Sequence, residues 1–337
     1  MAGVLAGLVL VAAGAAGRAA GRGEAPGETR TLVVAADGTG QFRSLQEAID
    51  EARRGETITI KAGSYAEDVT IHSKQRLKLV GEGMERVTIL GRERVGVFHI
   101  GKWPYGATDV EISGLTINEH GGHALGIFNG KGIVLREVRI NGMVFGQQVQ
   151  DVRIERCNIG GSETAGVQFA DSHATLTGNL IHDNDHGVTI AGKSVVRLER
   201  NVITRNLFDG VVVADSARAV LTGNTIAKNG RGASFLGTSG SEVSGNIVAW
   251  NTMGFIIAPA STVRTAYNAM FNPGGNFLRA AAVDVPAPEL KGKSDLIADP
   301  RFVDPEQGDF RLRSDTPLRR VGKFPHLGAL APLNGSP

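Results

Sequence analysis

Leu176-Thr177-Gly178-Asn179-Leu180-Ile181-His182-Asp183-Asn184 is followed 22 residues later by Leu198-Glu199-Arg200-Asn201-Val202-Ile203-Thr204-Arg205-Asn206. Each stretch places an aliphatic residue, an asparagine three positions on, a second aliphatic residue two further, and another asparagine three beyond that. The same frame runs through the pairs Ile112/Ile117, Leu135/Ile140, Ile154/Ile159, Leu176/Ile181, Leu198/Ile203, Leu221/Ile226 and Val243/Val248. Three places after each first member stand Leu115, Val138, Cys157, Asn179, Asn201, Asn224 and Asn246, with Asn268 continuing the column; from Cys157 the steps are 22, 22, 23, 22 and 22 residues. A second column holds Asn184, Asn206, Asn229 and Asn251. A third holds Gly126, Gly146, Gly166, Gly187, Gly210, Gly232 and Gly254, each followed by a short apolar run.

A period of about 22 residues accommodates three short strands and the bends between them, which is one coil of a parallel β-helix. The fold expected is therefore all-β: a single-stranded right-handed parallel β-helix, a solenoid of about 22-residue coils, with an N-terminal capping α-helix. Asparagine suits the corners. Its amide can satisfy backbone groups that have no strand partner, can pair with the amide one coil away, and tolerates the left-handed backbone of tight bends. Cys157 reads as a small buried thiol filling one place in the first column.

The bulk composition agrees. With 42% hydrophobic but only 5% aromatic residues, the core must be aliphatic, and the 46 glycines suit a strand-rich repeat with tight corners. A net charge of +2 asks for neither nucleic acid nor an anionic membrane, and a single cysteine excludes an internal disulfide. Residues Val4 to Ala16 form an apolar run of about 13, too short for a membrane-spanning helix and suited to the core of a secretory signal. Residues 1–30 are thus expected to be a signal peptide and flexible linker, with a secreted, periplasmic or cell-surface monomer and no integral membrane span. Residues 31–282 are expected to form the β-helix, with a cap helix at about 42–54: Phe42, Leu45, Ala48, Ile49 and Ala52 have helical spacing, and Ser44 with Glu47 forms a capping box. Residues 283–337, rich at first in Pro and Asp, are expected to strap over the last coil and end in a tail.

The run Asp37-Gly38-Thr39-Gly40-Gln41-Phe42 with Ser44, Gln46, Ala48 and Ile49 resembles the start of a pectinesterase, as do Lys61-Ala62-Gly63-Ser64-Tyr65 and Leu79-Val80-Gly81-Glu82-Gly83. The resemblance covers about fifty residues and implies a pectin-lyase-like β-helix. It does not carry the pectinesterase chemistry. The nearest stretches to the family's catalytic segments, Gly146-Gln147-Gln148 and Thr164-Ala165-Gly166-Val167-Gln168-Phe169, hold no aspartate, and the Asp-Pro-His-Asp signature of alginate C5-epimerases is missing. The middle, Ile112 to Asn268, resembles the repeats of secreted bacterial β-helix proteins and of periplasmic proteins of copper-site maturation. Asp299 to Leu312 is similar to the tail of such secreted proteins.

Equivalent positions on adjacent coils lie ~4.8 Å apart. One place before the second asparagine column stand Asp183, Arg205, Lys228 and Trp250, a carboxylate, two cations and an aromatic over ~15 Å. Beside them are His182, Asp185, His186, Asp209 and Arg231. This arrangement suggests a protein that binds acidic polysaccharide and can modify it by lyase or epimerase chemistry. Arg205, Lys228, His182 and His186 would supply base and cation, while Asp183, Trp250, Asp209 and Arg231 would meet the sugar. No cofactor is required, though Asp183 and Asp185 could hold calcium. Trp103 and Tyr105, in the excursion Lys102 to Gly106, form a second candidate binding loop near Glu119, His120 and His123. The competing expectation is a non-catalytic envelope or surface module that binds glycan or protein, since solvated corners collect charge without any site.

Overall fold

The computed structural model describes residues 30–92, 96–102, 104–119, 122–238 and 240–331. Nearly all of the expected signal segment, together with Trp103 and His120, lies outside the described residues.

The chain winds as a right-handed parallel β-helix with coils of about 22 residues. Its strands stack into three 11-stranded sheets. In one mid-chain coil, Val195–Glu199 belongs to the first sheet, Val202–Thr204 to the second and Asp209–Val213 to the third. The aliphatic pairs of the repeat are the inward columns. Leu135, Ile154, Leu176, Leu198, Leu221 and Val243 stack in the first sheet, and Ile140, Ile159, Ile181, Ile203, Ile226 and Val248 in the second. All are essentially inaccessible to solvent. One missing side chain is filled across coils: the ring of Phe169 occupies the place a Cβ on Gly146 would take.

Both asparagine columns lie in the corners, and each amide does several jobs at once. The Asn224 carbonyl oxygen accepts from the backbone N–H of Asn201 at 2.9 Å and from the Asn201 amide at 3.0 Å. The Asn224 amide in turn donates to the Leu198 carbonyl at 2.8 Å and to Asn246 at 2.9 Å. The pattern repeats from Cys157, whose N–H donates to Asn179, down to Asn268, which donates twice to the buried carboxylate of Asp295. The second ladder runs from Ser162 through Asn184, Asn206, Asn229 and Asn251, and continues beyond the recognised column to Asn272 and Asn276. The left-handed backbone sits one residue earlier than expected: Arg200 (φ 54°) precedes Asn201, and Arg205 (φ 53°) precedes Asn206.

The glycine column is also narrower than its sequence pattern. Gly126 pairs with Phe145 and Gly146 with Phe169, so they stand in other positions. Gly166, Gly187, Gly210, Gly232 and Gly254 do form one column, but for closeness rather than positive φ. A Cβ on Gly187 would lie 2.4 Å from the Gly210 carbonyl and 3.0 Å from the Asn206 amide.

The ends differ in detail from the expectation. An additional strand, Thr31–Val34, pairs in parallel with Thr57–Ile60 and opens the first sheet. The cap helix spans Leu45–Glu51, buries Leu45, Ala48 and Ile49, and has Ser44 as its N-cap. Half of the expected capping box is present, since Ser44 Oγ accepts from the Glu47 N–H at 3.3 Å. The answering carboxylate, however, is that of Glu67, which accepts from the Ser44 hydroxyl and from the N–H groups of Leu45 and Gln46.

The C-terminal segment does not simply close the last coil. After Leu296–Ile297 adds to the second sheet, the chain doubles back along that sheet's outer face. Phe302, Phe310, Leu312, Leu318 and Leu327 form a second core with Val202, Ala227, Ile247, Ala249 and Ala269. A sheet covered on both faces can be apolar on both, and Ile247-Val248-Ala249 is buried throughout.

Asn224→Ala removes the acceptor for Asn201 and the donor for Leu198 in a corner that water does not reach. The expected loss is about 2–4 kcal/mol, measured as a lower urea midpoint. The same change at the exposed Asn141 is expected to cost well under that.

Candidate functional site

The residue before each amide of the second ladder takes a left-handed conformation: φ is 54° at Asp183, 53° at Arg205, 59° at Lys228 and 61° at Trp250. This bend buries the following asparagine in the corner and leaves the preceding side chain on the outside. These side chains therefore stand outward in line, and the row gains a member at its far end. Phe271, one place before Asn272, accepts a backbone hydrogen bond from Trp250 at 2.8 Å.

The charged members of the column are engaged with the protein itself. Asp183 is gripped by Arg205 through two hydrogen bonds of 2.9 and 2.8 Å. The Arg205 guanidinium holds the Asp183 carboxyl below the usual carboxylate range. His182 sits 2.6 Å from Asp183 through Nδ1 and 2.7 Å from the Asn158 side-chain oxygen through Nε2, so both ring nitrogens are occupied. Lys228 is covered by the returning C-terminal segment, at 2.6 Å from Glu306 and 3.4 Å from the Pro305 carbonyl.

The neighbours expected beside the column follow suit. Asp209 is buried, accepts from the Ser234 hydroxyl, and has His186 Nδ1 at 3.3 Å, close enough for an ion pair but not aligned for a hydrogen bond. Arg231 reaches Asp284 at 3.4 Å. Asp183 and Asp185 flank the buried Asn184, and among the described residues no three His, Cys, Asp or Glu side chains gather as a metal cluster. Tyr105 is exposed, but its turn lies between the third and first sheets, on a different edge from the column.

Both ends of this edge carry an accessible cleft, and Leu207 and Phe208 are exposed between them. At its C-terminal end, Trp250, Phe271, Asn272, Pro273, Asn276 and Ile297 line an open cleft of about 420 Å³. Trp250 and Phe271 are each about 40% exposed, which is high for aromatic rings. At its N-terminal end a polar cleft of about 440 Å³ includes Glu119, Asn141, Glu163 and Thr164. Burial, aided by Glu163, pushes the Glu119 carboxyl up.

A further site joins residues that sequence reading took separately. His123, singled out with Glu119 and His120, meets His99 from the preceding coil, with 3.1 Å between their Nε2 atoms. Phe128 and Phe145 pack around the pair. Burial lowers the pKa of both imidazoles. His99 went unnoticed because the repeat frame begins only at Ile112. The one usable signal was its spacing from His123, about one coil.

These features define a pectin-lyase-like parallel β-helix with a pectinesterase-like N-terminus. The family model described as periplasmic copper-binding protein (NosD) matches residues 105–279, just over half of the chain, and the chain belongs to that family. The pectinesterase model matches residues 31–114. Pectinesterase 4 of Arabidopsis thaliana is 40% identical over 85 residues, covering 24% of this chain and 14% of the relative. Pectinesterase 2.2 of Solanum lycopersicum is 41% identical over 68 residues, covering 19% and 12%. The chain thus matches only a small part of these curated relatives. The A-module of the mannuronan C-5 epimerase AlgE6 of Azotobacter vinelandii aligns over 69% of this chain and 71% of its own, with a TM-score of 0.58 and 16% identity. That similarity concerns the fold.

The family description raises the question of which donors here suit copper. Cys157 does not: burial pushes its thiol up to about 11, and it points at the carbonyls of Leu135 and Glu155. Only a thiolate ligates well. The His99–His123 pair does present two nitrogens within reach of one ion.

Arg205→Ala is expected to raise the Asp183 pKa toward its ordinary value, seen in a carbon-detected NMR titration. A depressed carboxylate contributes stability above its unfolded pKa, and that contribution is lost as pH falls through the folded one. The wild type should therefore lose slightly more stability on acidification than the variant. The difference is expected to stay below about 1 kcal/mol, because the pair is solvent-screened.

Proposed function

We propose that this chain is an extracytoplasmic β-helix that binds a polysaccharide without cleaving it, along its second corner, the one that carries the second asparagine ladder. The observation that carries the reading is the uncovered Trp250–Phe271 cleft, at the end of a column whose charged members are already paired. Aromatic faces offer a sugar ring a broad apolar surface at low entropic cost, and exposed apolar patches with polar rims mark binding sites. Asn272 and Asn276 stand at the rim of the same cleft, although both amides also serve the ladder. The pectinesterase relatives, by name, concern pectin, and the family description is periplasmic.

The internal pairing bears on the kind of binding. Arg205 and Lys228 were expected to meet an acidic chain, yet each already holds a carboxylate. Glu119 and Glu163 make the far end of the edge acidic. Stacking, rather than charge attraction, then provides most of the affinity, and binding should change little with salt.

The test is retention on immobilised polygalacturonate, alginate and a neutral glucan, in low and high salt. Trp250→Ala is expected to reduce retention about tenfold and Phe271→Ala by a smaller factor, with Arg205→Ala near wild type. A calcium chelator should leave retention unchanged, and no absorbance from unsaturated uronate should accumulate. Full retention by Trp250→Ala, or appearance of that absorbance, overturns the reading.

A further inference from the structure

We propose that His99 and His123 form a copper(II) site, with their Nε2 atoms in two adjacent coordination positions and the others open to exogenous ligands. The family description points to the metal; the donors are read from this chain alone, independently of the glycan reading.

The two rings arrive from different coils. His99 lies in the strand Phe98–Ile100 of the third sheet, in register with Gly126. His123 lies in the bend that leads into Leu125–Phe128. The rings meet edge to face, with centroids 5.2 Å apart and planes at 84°.

Two glycines keep the space between the ring tips open. Gly96 has φ +85°, and a Cβ there would stand 2.8 Å from both Nε2 atoms. A Cβ on Gly126 would stand 2.8 Å from His123 Nε2 and 2.6 Å from the Phe128 ring. Any larger residue at position 96 would thus crowd both ring nitrogens.

The distance suits a shared ion. With metal–nitrogen bonds of ~2.0 Å, a nitrogen separation of 3.1 Å corresponds to an angle at the metal of about 100°. That is near the right angle between neighbouring ligands of tetragonal copper(II), and far from the ~4 Å separation of a linear pair. Among divalent first-row ions copper binds nitrogen donors most tightly. Only neutral imidazole ligates, and the rings of Phe128 and Phe145 pack against the pair. In the apo pair one ring donates its Nε2 proton to the other. On binding, that proton moves to Nδ1 of the same ring, and no net proton is released.

The full chain is titrated with copper(II) against a weak chelator and read by electron paramagnetic resonance. Spin-echo modulation counts the coordinated imidazoles. About one ion per chain carrying two imidazoles is expected. His99→Gln and His123→Gln should each leave at most one imidazole and weaken binding about tenfold or more. Gly96→Ala keeps both ligands yet should weaken binding comparably, while His182→Ala should not. Circular dichroism melts establish that each variant is folded. The assignment is overturned if the wild type shows no two-imidazole signal, if that signal survives both histidine replacements, or if equimolar zinc(II) displaces the copper.

Discussion

The amide-to-amide hydrogen bond between coils is the interaction on which the whole molecule rests. Three short strands per coil leave corners whose backbone groups have no strand partner, and the buried corner is closed to water. A side chain of one coil must therefore supply donors and acceptors to the next, as Asn224 does for Asn201 and Leu198. Once the ladder is in place, the register of every other column follows. The inward aliphatic residues stack on their own kind, the glycine column lies against the amides, and the outward residue before each asparagine is fixed in a left-handed bend. The same bend that serves the fold thus creates the column of outward side chains at the second corner.

Much of this was legible because the spacing repeats. The paired aliphatic residues and both amide columns could be aligned from the sequence alone, and they correspond to real strands and corners. Two features were present in the sequence but went unread. In the coils of Val202, Thr225 and Ile247 the second-sheet strands lose the alternation seen in Arg139-Ile140-Asn141, which signals a covered outer face. The residues that cover it come from about sixty to a hundred and twenty-five residues later, around Phe310 and Leu327, and no local pattern links them. The N-terminal cap was equally non-local: Ser44 signalled a helix start, but its carboxylate partner, Glu67, comes from a neighbouring strand segment.

The candidate site was legible in position and not in state. The second-corner column could be drawn residue by residue, yet a list of outward charges does not show which are spent on one another. Asp183 and Arg205 stand on adjacent coils at the same corner, and opposite charges there pair more readily than either waits for a ligand. Lys228 is occupied by Glu306, whose approach depends on the path of the tail. The aromatic end, Trp250 with Phe271, escapes this fate because rings have no such partner to find. The histidine pair was marked only by a spacing of about one coil, because the irregular early coils have no frame from which neighbours can be counted.

Both ladders have a direction, and this bears on why the molecule is finite. Each coil donates its amide toward the next, so each ladder needs an acceptor at its far end. The first ladder ends instead on Asp295, a carboxylate that takes both donors of Asn268 and has no hydrogen to pass on. The second ends on Asn276, only four residues beyond Asn272 in the same loop. A repeat that could in principle add coils without limit is thus closed by a carboxylate in one ladder and by a local turn in the other.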